Sequence, residues 1–363
     1  MSRRLQSGLS LIELMVSVVI GLILLAGISQ IFLNSKQGYR VQESAARLQE
    51  NSRYAIETLS RAVRMADFWA GVDPAAITRV NGNSLATSPI AYASTYGTSC
   101  TAAGFLINPS DAVHGYSGVA TGLPTGFDCI QSADYVASSD VLVLRFADAD
   151  QWFKSADVCT ASQDEGRVFL KSLTGKRAVL FDASTSDCAA ASTTGTAAIA
   201  GEARNGVLNY RYRFAAFSLR RCSTTPCSTT ADGGMPIPSL IMTDLTGDAT
   251  NGTNAKVIAE GIEMLKFEYG VDTTGDFIVD RYYKAGGVTN WSSVLTVRVS
   301  MIVRGDTLDS FTDTTTYTMT DTYGSSTAAD YAFTASNTSP VFAARHQRRL
   351  LVKELQVRNR FRK

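Results

Sequence analysis

The sequence predicts an α+β fold: one long N-terminal helix, membrane-spanning in its first half, packed on an antiparallel β-sheet head with large loop insertions. Three observations predict it. Residues 14–33 read LMVSVVIGLILLAGISQIFL, without an ionisable group. Small and apolar residues then recur at steps of three or four through Val41, Ala45, Leu48, Ser52, Ala55, Leu59, Ala62 and Ala66, which is one face of an α-helix. Beyond Asp140, several short runs alternate apolar and polar residues with period two, the mark of half-buried strands.

The N-terminus comes first. Residues 1–8 form a short polar head containing Arg3 and Arg4. The uncharged run that follows spans about 30 Å at about 1.5 Å per residue, the thickness of a bilayer's hydrocarbon core. Its arginines lie on the N-terminal side, so the positive-inside bias keeps that end cytoplasmic and sends the rest outward. An ordinary secretory signal would carry a small-x-small cleavage site after the apolar run. Here the run passes into a helical pattern without a break. A lipoprotein signal would need a cysteine after Leu25-Ala26-Gly27, and position 28 is Ile. A plain single-span anchor stays open at this point.

Glu13 bears on that choice. A carboxylate at the head of an apolar run is costly in lipid and asks for a cationic partner. A free α-amine at Leu9 would supply one if the chain were cut after Gly8, and so would the amine of a neighbouring subunit. The alternative is a carboxylate resting at headgroup depth.

The helix is expected over residues 9–66, with 14–33 transmembrane, because the first proline is Pro74. Such a helix is roughly 87 Å long. Arg47, Glu50, Arg53, Glu57, Arg61 and Arg64 populate its other faces. Gly21, Gly27 and Gly38 are its weak points, since glycine costs about 1 kcal/mol relative to alanine in a helix.

Residues 67–140 are rich in Gly, Ser, Thr and Asn and read as a loop-rich αβ region. A β-rich head follows over 141–363. Its legible strands are 141–146, 208–214, 265–269, 294–303 and 350–357, with turn-rich stretches such as 243–254 between them. No GxGxxG follows a strand and no βαβ rhythm appears, which disfavours a nucleotide-binding α/β fold.

Six cysteines, at 100, 129, 159, 188, 222 and 227, all lie beyond the apolar run. In an exported head they suit disulfides. Sequence does not fix connectivity; we expect sequential pairing, Cys100–Cys129, Cys159–Cys188 and Cys222–Cys227, of which the tight last loop is the best supported. Their spacing forms no CxxC, and His114 and His346 are the only histidines, too few for a zinc site. The same scarcity leaves no legible Ser-His-Asp or Cys-His constellation, so enzymatic activity is not expected.

Asp272, Thr274, Asp276 and Asp280 stand at alternate positions of one loop, as oxygen ligands do in calcium loops. Phe277 and Tyr283 occupy the places where a glycine and a bidentate acid are usual, which favours a polar hairpin turn centred on Thr274-Gly275. We therefore expect no cofactor, with calcium as the second reading of this loop. The formal net charge is +1, from 34 basic and 33 acidic residues, which argues against a nucleic-acid binder as a whole. The C-terminus is locally basic: Arg345, Arg348, Arg349, Lys353, Arg358, Arg360, Arg362 and Lys363. A solvated edge strand, protected from edge pairing by its cations, is favoured there over contact with DNA, lipid headgroups or an acidic subunit.

The string Gly8-Leu9-Ser10-Leu11-Ile12-Glu13-Leu14 resembles the type III prepilin signal. The resemblance implies that a prepilin peptidase cuts after Gly8 and methylates Leu9, placing Glu13 fifth in the mature chain. Leu48-Gln49-Glu50-Asn51-Ser52-Arg53-Tyr54-Ala55 resembles the helix segment of PilW-type minor pilins. Gly261-Ile262-Glu263, Phe267 to Asp272, Val297-Arg298-Val299 and Val357-Arg358-Asn359 resemble further segments of that group. Residues 70–135 and 150–205 resemble nothing nameable. The likeness implies a type IV pilin-like fold and a structural minor pilin, set in the priming or tip complex of a type IV pilus. It implies as partners other minor and major pilins, the prepilin peptidase, the inner-membrane assembly platform and a tip adhesin, with the head in the periplasm. A type II secretion minor pseudopilin, or an adhesive or DNA-binding tip module, are the alternatives.

Overall fold

Helix α1 runs Leu11–Met65 in a computed structural model that describes residues 10–81, 84–85, 107–124, 127, 130, 133–153, 167–173, 175–182, 207–228, 230–244, 255–308, 312–319, 331–335 and 343–361. Ser10 precedes it in an extended conformation, and its amide donates to the Glu13 carboxylate at 3.1 Å, half of a capping box. The helix stops where Ala66 turns extended and Asp67 takes a positive φ of 64°. Up to Glu43 its side chains are exposed, apart from a partly covered Gly21 and Val41. From Ser44 onward one stripe is buried: Ser44, Leu48, Ser52, Ala55, Leu59, Ala62 and Val63. Arg47, Glu50, Arg53, Glu57, Arg61 and Arg64 all face solvent.

Among the described residues the head contains fifteen strands. They are β1 Ile77–Asn81, β2 Ser84–Leu85, β3 Val113–Tyr116, β4 Val141–Phe153, β5 Val168–Leu173, β6 Arg177–Asp182, β7 Val207–Arg220, β8 Ser239–Asp244, β9 Ala255–Glu260, β10 Ile262–Val271, β11 Arg281–Tyr283, β12 Val294–Arg304, β13 Thr316–Met319, β14 Tyr331–Thr334 and β15 Arg348–Gln356. The larger sheet follows the order β2-β1-β6-β5-β7-β4-β3 and forks at β7. One edge of β7 pairs with β4 through Asn209–Phe217, with a register shift between Asp148 and Trp152; the other pairs first with β5 through Val207–Arg211 and then with β8 through Ala215–Arg220. Strands β1 and β6 are parallel, an exception to the expected antiparallel pairing. Strands β1–β3, from the region expected to be loop-rich, belong to the same sheet as β4–β9. A second, four-stranded antiparallel sheet runs β11-β10-β12-β15, and β13 with β14 forms a separate hairpin.

Two cores result. The first joins the helix stripe to Leu142, Leu144, Phe217, Leu265, Phe267, Val299 and Met301, so α1 is wedged against both sheets. The second lies on the far face of the larger sheet, around Trp69, Val143, Leu170, Leu180, Tyr212 and Phe214. Successive residues of β4 therefore feed opposite cores, as the pleat dictates. Asp140 ties the sheets together: its carboxylate accepts from Gly118 N at 2.8 Å, Phe267 N at 2.9 Å and Lys266 Nζ at 3.0 Å. Burial pushes this carboxyl above its ordinary pKa, against the pull of Lys266 and the two amides. Gly115 is required where β3 crosses the second sheet, since a Cβ there would collide with the Tyr269 ring.

Candidate functional site

The candidate site is the N-terminal helix together with the surface on which it docks. Among the described residues its apolar half is left largely uncovered: Leu11, Ile12, Leu22, Ile23, Leu25, Ile31 and Phe32 are all more than half exposed. An unburied, uncharged stretch of this length is long and apolar enough to cross a membrane. Gly8 and Leu9 lie outside the described residues. Glu13 is exposed at the tip, and its carboxylate accepts from the Ser10 amide.

The docked half is held at both ends. Near the apolar segment, Arg47 bridges to Asp306 at 2.9 Å. Beside that pair, Gly305 comes so close to the helix that a Cβ would strike Ser44 Oγ. At the far end, the Asn359 side-chain amide donates to the carbonyls of Arg64 at 3.0 Å, Met65 at 3.3 Å and Ala66 at 2.9 Å. These are terminal helix acceptors with no partner inside the helix. Next to it, Arg360 pairs with Asp67 at 2.9 Å and donates to Val294 O at 2.8 Å. The C-terminal segment thus clamps the helix end to β12. We expect Asn359→Ala to cost about 1 kcal/mol, because the freed carbonyls are only partly offset by water; the shift of the urea midpoint at unchanged slope measures it.

This clamp corrects the reading of the basic C-terminus as a solvated edge. Strand β15 is an edge strand, and Arg349, Lys353 and Arg358 are exposed. Arg348 and Arg360 are instead buried. The Arg348 guanidinium grips Glu263 at 2.6 Å and 3.0 Å and reaches Asp313 at 3.3 Å, while Arg304 meets Glu263 at 3.4 Å. His346 is buried beside them; desolvation, followed by the Arg304 and Arg348 charges, lowers its pKa to about 4. Arg362 and Lys363 lie outside the described residues.

The loop 272–280 is the hairpin between β10 and β11. Asp272 accepts from the amides of Thr274 at 3.0 Å, Gly275 at 2.6 Å and Phe277 at 2.8 Å. Asp276 accepts from Ile278 N at 2.9 Å, and Asp280 from Thr273 Oγ1 at 2.6 Å and Thr273 N at 2.7 Å. The Thr273 hydroxyl and amide hold the Asp280 carboxyl below the usual range. These acids serve the loop's own backbone, so the hairpin reading describes the loop better than the calcium reading. Among the described residues no cluster of His, Cys, Asp and Glu is placed to hold a metal. Between this hairpin and the helix end lies a groove of about 890 Å³. Of its three acids, Asp67 is engaged by Arg360 and the Trp69 indole, Asp73 accepts from the Ala75 amide, and Asp272 from the hairpin amides.

Cys222 and Cys227 form a disulfide with Cα atoms 5.6 Å apart, directly after β7. Cys100, Cys129, Cys159 and Cys188 lie outside the described residues.

The apolar helix thus carries an acid at its head and docks by its second half on a β head. Residues 3–29 match the family model described as the prokaryotic N-terminal methylation motif. Residues 227–359 match the model described as type IV pilus-assembly protein W. No curated protein and no solved structure matches the chain. The two matches support a PilW-type minor pilin with a prepilin signal. The second match spans β10, β12, β15, the buried arginine cluster and Asn359, so the matched segment builds much of the helix dock. The matched pilin family is a structural one, and its members interact with other pilins and the pilus machinery.

Proposed function

We propose that the chain is a non-enzymatic subunit of the complex that primes or tips a type IV pilus. Before assembly it waits as a single-pass protein of the inner membrane with its head in the periplasm. The prepilin peptidase removes residues 1–8 and methylates Leu9. Glu13, fifth in the mature chain, then neutralises the terminal amine of an adjacent subunit as the helix moves from lipid into the fibre. The assembly platform and the other minor and major pilins are the partners this requires, with a tip adhesin as a further one.

The single observation that supports this is the division of α1: among the described residues the segment through Leu33 is apolar and largely exposed, while the segment from Ser44 is fixed to the head. A free apolar helix on a rigid head is a plug for a bundle of like helices. A large head also favours a terminal position, because a tightly repeated shaft has less room for it. The test is intact mass with N-terminal sequencing of protein extracted from membranes of pilus-producing cells. A chain beginning at N-methylated Leu9 is the expected result; a chain still beginning at Met1, or beginning beyond Ala26, overturns the reading.

A further inference from the structure

Just beyond the apolar segment, α1 and the head enclose a groove of about 370 Å³ lined by Leu33, Lys36, Arg40, Thr307, Leu308 and Arg345, among others. Three of its lining side chains are cationic and none is acidic. We propose that this groove binds the phosphate headgroup of an anionic lipid in the leaflet that faces the head. The proposal rests on the reading that residues 14–33 span a bilayer.

Depth is the first support. Leu33 ends the apolar run, and Lys36 and Arg40 follow one and two turns later, roughly 5 Å and 10 Å further along the axis. The headgroup zone occupies that range beyond the hydrocarbon core. The lining chemistry fits the same boundary. Leu33 and Leu308 give an apolar floor, and Leu308 is 38% exposed although it belongs to the head. Lysine and arginine stems can lie along such a floor while their charges reach the phosphate.

The sign of the charge is the second support. Cations beside the outer end of a span oppose the positive-inside bias set by Arg3 and Arg4. Lys36 and Arg40 therefore work against topology, and a local ligand on that side gives them a use. The walls, finally, are fixed in place. The close approach of Gly305 to Ser44 and the Arg47–Asp306 pair hold the loop bearing Thr307 and Leu308 against the helix. That loop is held in turn by Gln347, whose carbonyl accepts from Gly305 N at 2.8 Å. A bound headgroup would then set the tilt of the head on the membrane before assembly.

The experiment uses the full chain in nanodiscs of phosphatidylcholine with and without phosphatidylglycerol. Native mass spectrometry counts the lipids retained on release. Wild type is expected to retain phosphatidylglycerol over phosphatidylcholine by about tenfold or more. Lys36→Gln, Arg40→Gln and Arg345→Gln should each weaken retention roughly five-fold, from about 1 kcal/mol per cation near the surface. All variants should still partition into discs, because the span is untouched. Arg40→Gln lies on an exposed helix face, so it tests the groove even if Arg345→Gln folds poorly.

Equal retention of the two lipids, or unchanged retention in the variants, overturns the proposal. Displacement of the lipid by millimolar inorganic phosphate would make this a free-anion site and also overturn it. Unchanged retention with lost fibre incorporation would assign the groove to an acidic partner subunit instead. Failure of wild type to enter discs at all would sink the membrane reading itself, a separate outcome.

Discussion

Glu13→Ala is expected to leave the protein in the membrane and remove it from the fibre. Alanine makes the apolar segment more hydrophobic, so membrane insertion has no reason to fall. Incorporation is different. An α-amine carried into a helix bundle without a counter-charge costs several kcal/mol, and about 1.4 kcal/mol is already a factor of ten in an equilibrium. Incorporation should drop by roughly a hundredfold or more, read as the ratio of sheared-fibre to membrane protein on immunoblots. The structure suggests a control that separates charge from local geometry. Glu13 accepts from the Ser10 amide, a cap that any side-chain carbonyl at this position could replace. Glu13→Gln keeps that acceptor and loses only the charge. If glutamine restores incorporation, the residue acts as a helix cap, and the electrostatic role is wrong.

The helix and the outline of the head were readable because their signals are local. The stripe from Leu48 to Ala66 is buried where period 3.6 placed it, and strands appear at each of the five predicted places. What was missed lacks a local signature. Strand β5 is buried at five of its six positions, and Ser239–Leu240–Ile241 at the start of β8 is buried on both faces, so neither alternates. Strand β4 runs past its expected end because Asp148 pairs with Arg213 across the sheet, at 3.3 Å, instead of marking a boundary, and β7 continues through Ala215–Arg220, where every position is buried and the alternation is lost. The expected turn at 243–254 holds the end of β8 and falls largely outside the described residues.

The same division holds at the site. The signal around Gly8, Leu9 and Glu13 is one short string, and the motif match over residues 3–29 includes it. The clamp has no such string, since Arg360 and Asp67 are 293 residues apart and nothing near either names its partner. Charge runs mislead for the same reason. Arg348 and Arg349 are neighbours in sequence, yet one is buried in an ion cluster and the other faces water, because a strand sends successive side chains to opposite faces.

That cluster carries the largest stability effect we expect. Glu263 and Arg348 have fully buried side chains, and Arg304 and Asp313 side chains are each 5% exposed. Two cations and two anions balance, and the Arg348 fork meets both Glu263 oxygens while also donating to Ala343 O and His346 O. Arg348→Met breaks the balance. Glu263 would keep only the longer contact to Arg304, and Asp313 would lose its cation. Removing one partner of a buried pair typically costs 3–5 kcal/mol, mostly because the other charge is stranded. We expect a loss of about that size in urea unfolding of the head. Glu263→Met with Arg348→Met removes one charge of each sign and leaves Arg304 and Asp313 balanced. The double variant should therefore recover at least about half of the loss, as apolar replacement of buried pairs often does. A single variant that loses less than about 1 kcal/mol would show that water reaches the cluster and that these charges do not hold β15 to β10. The consequence would extend to the helix dock. Arg304 is followed directly by Gly305, the residue that meets Ser44, so the ion cluster and the seat of α1 share one turn of chain.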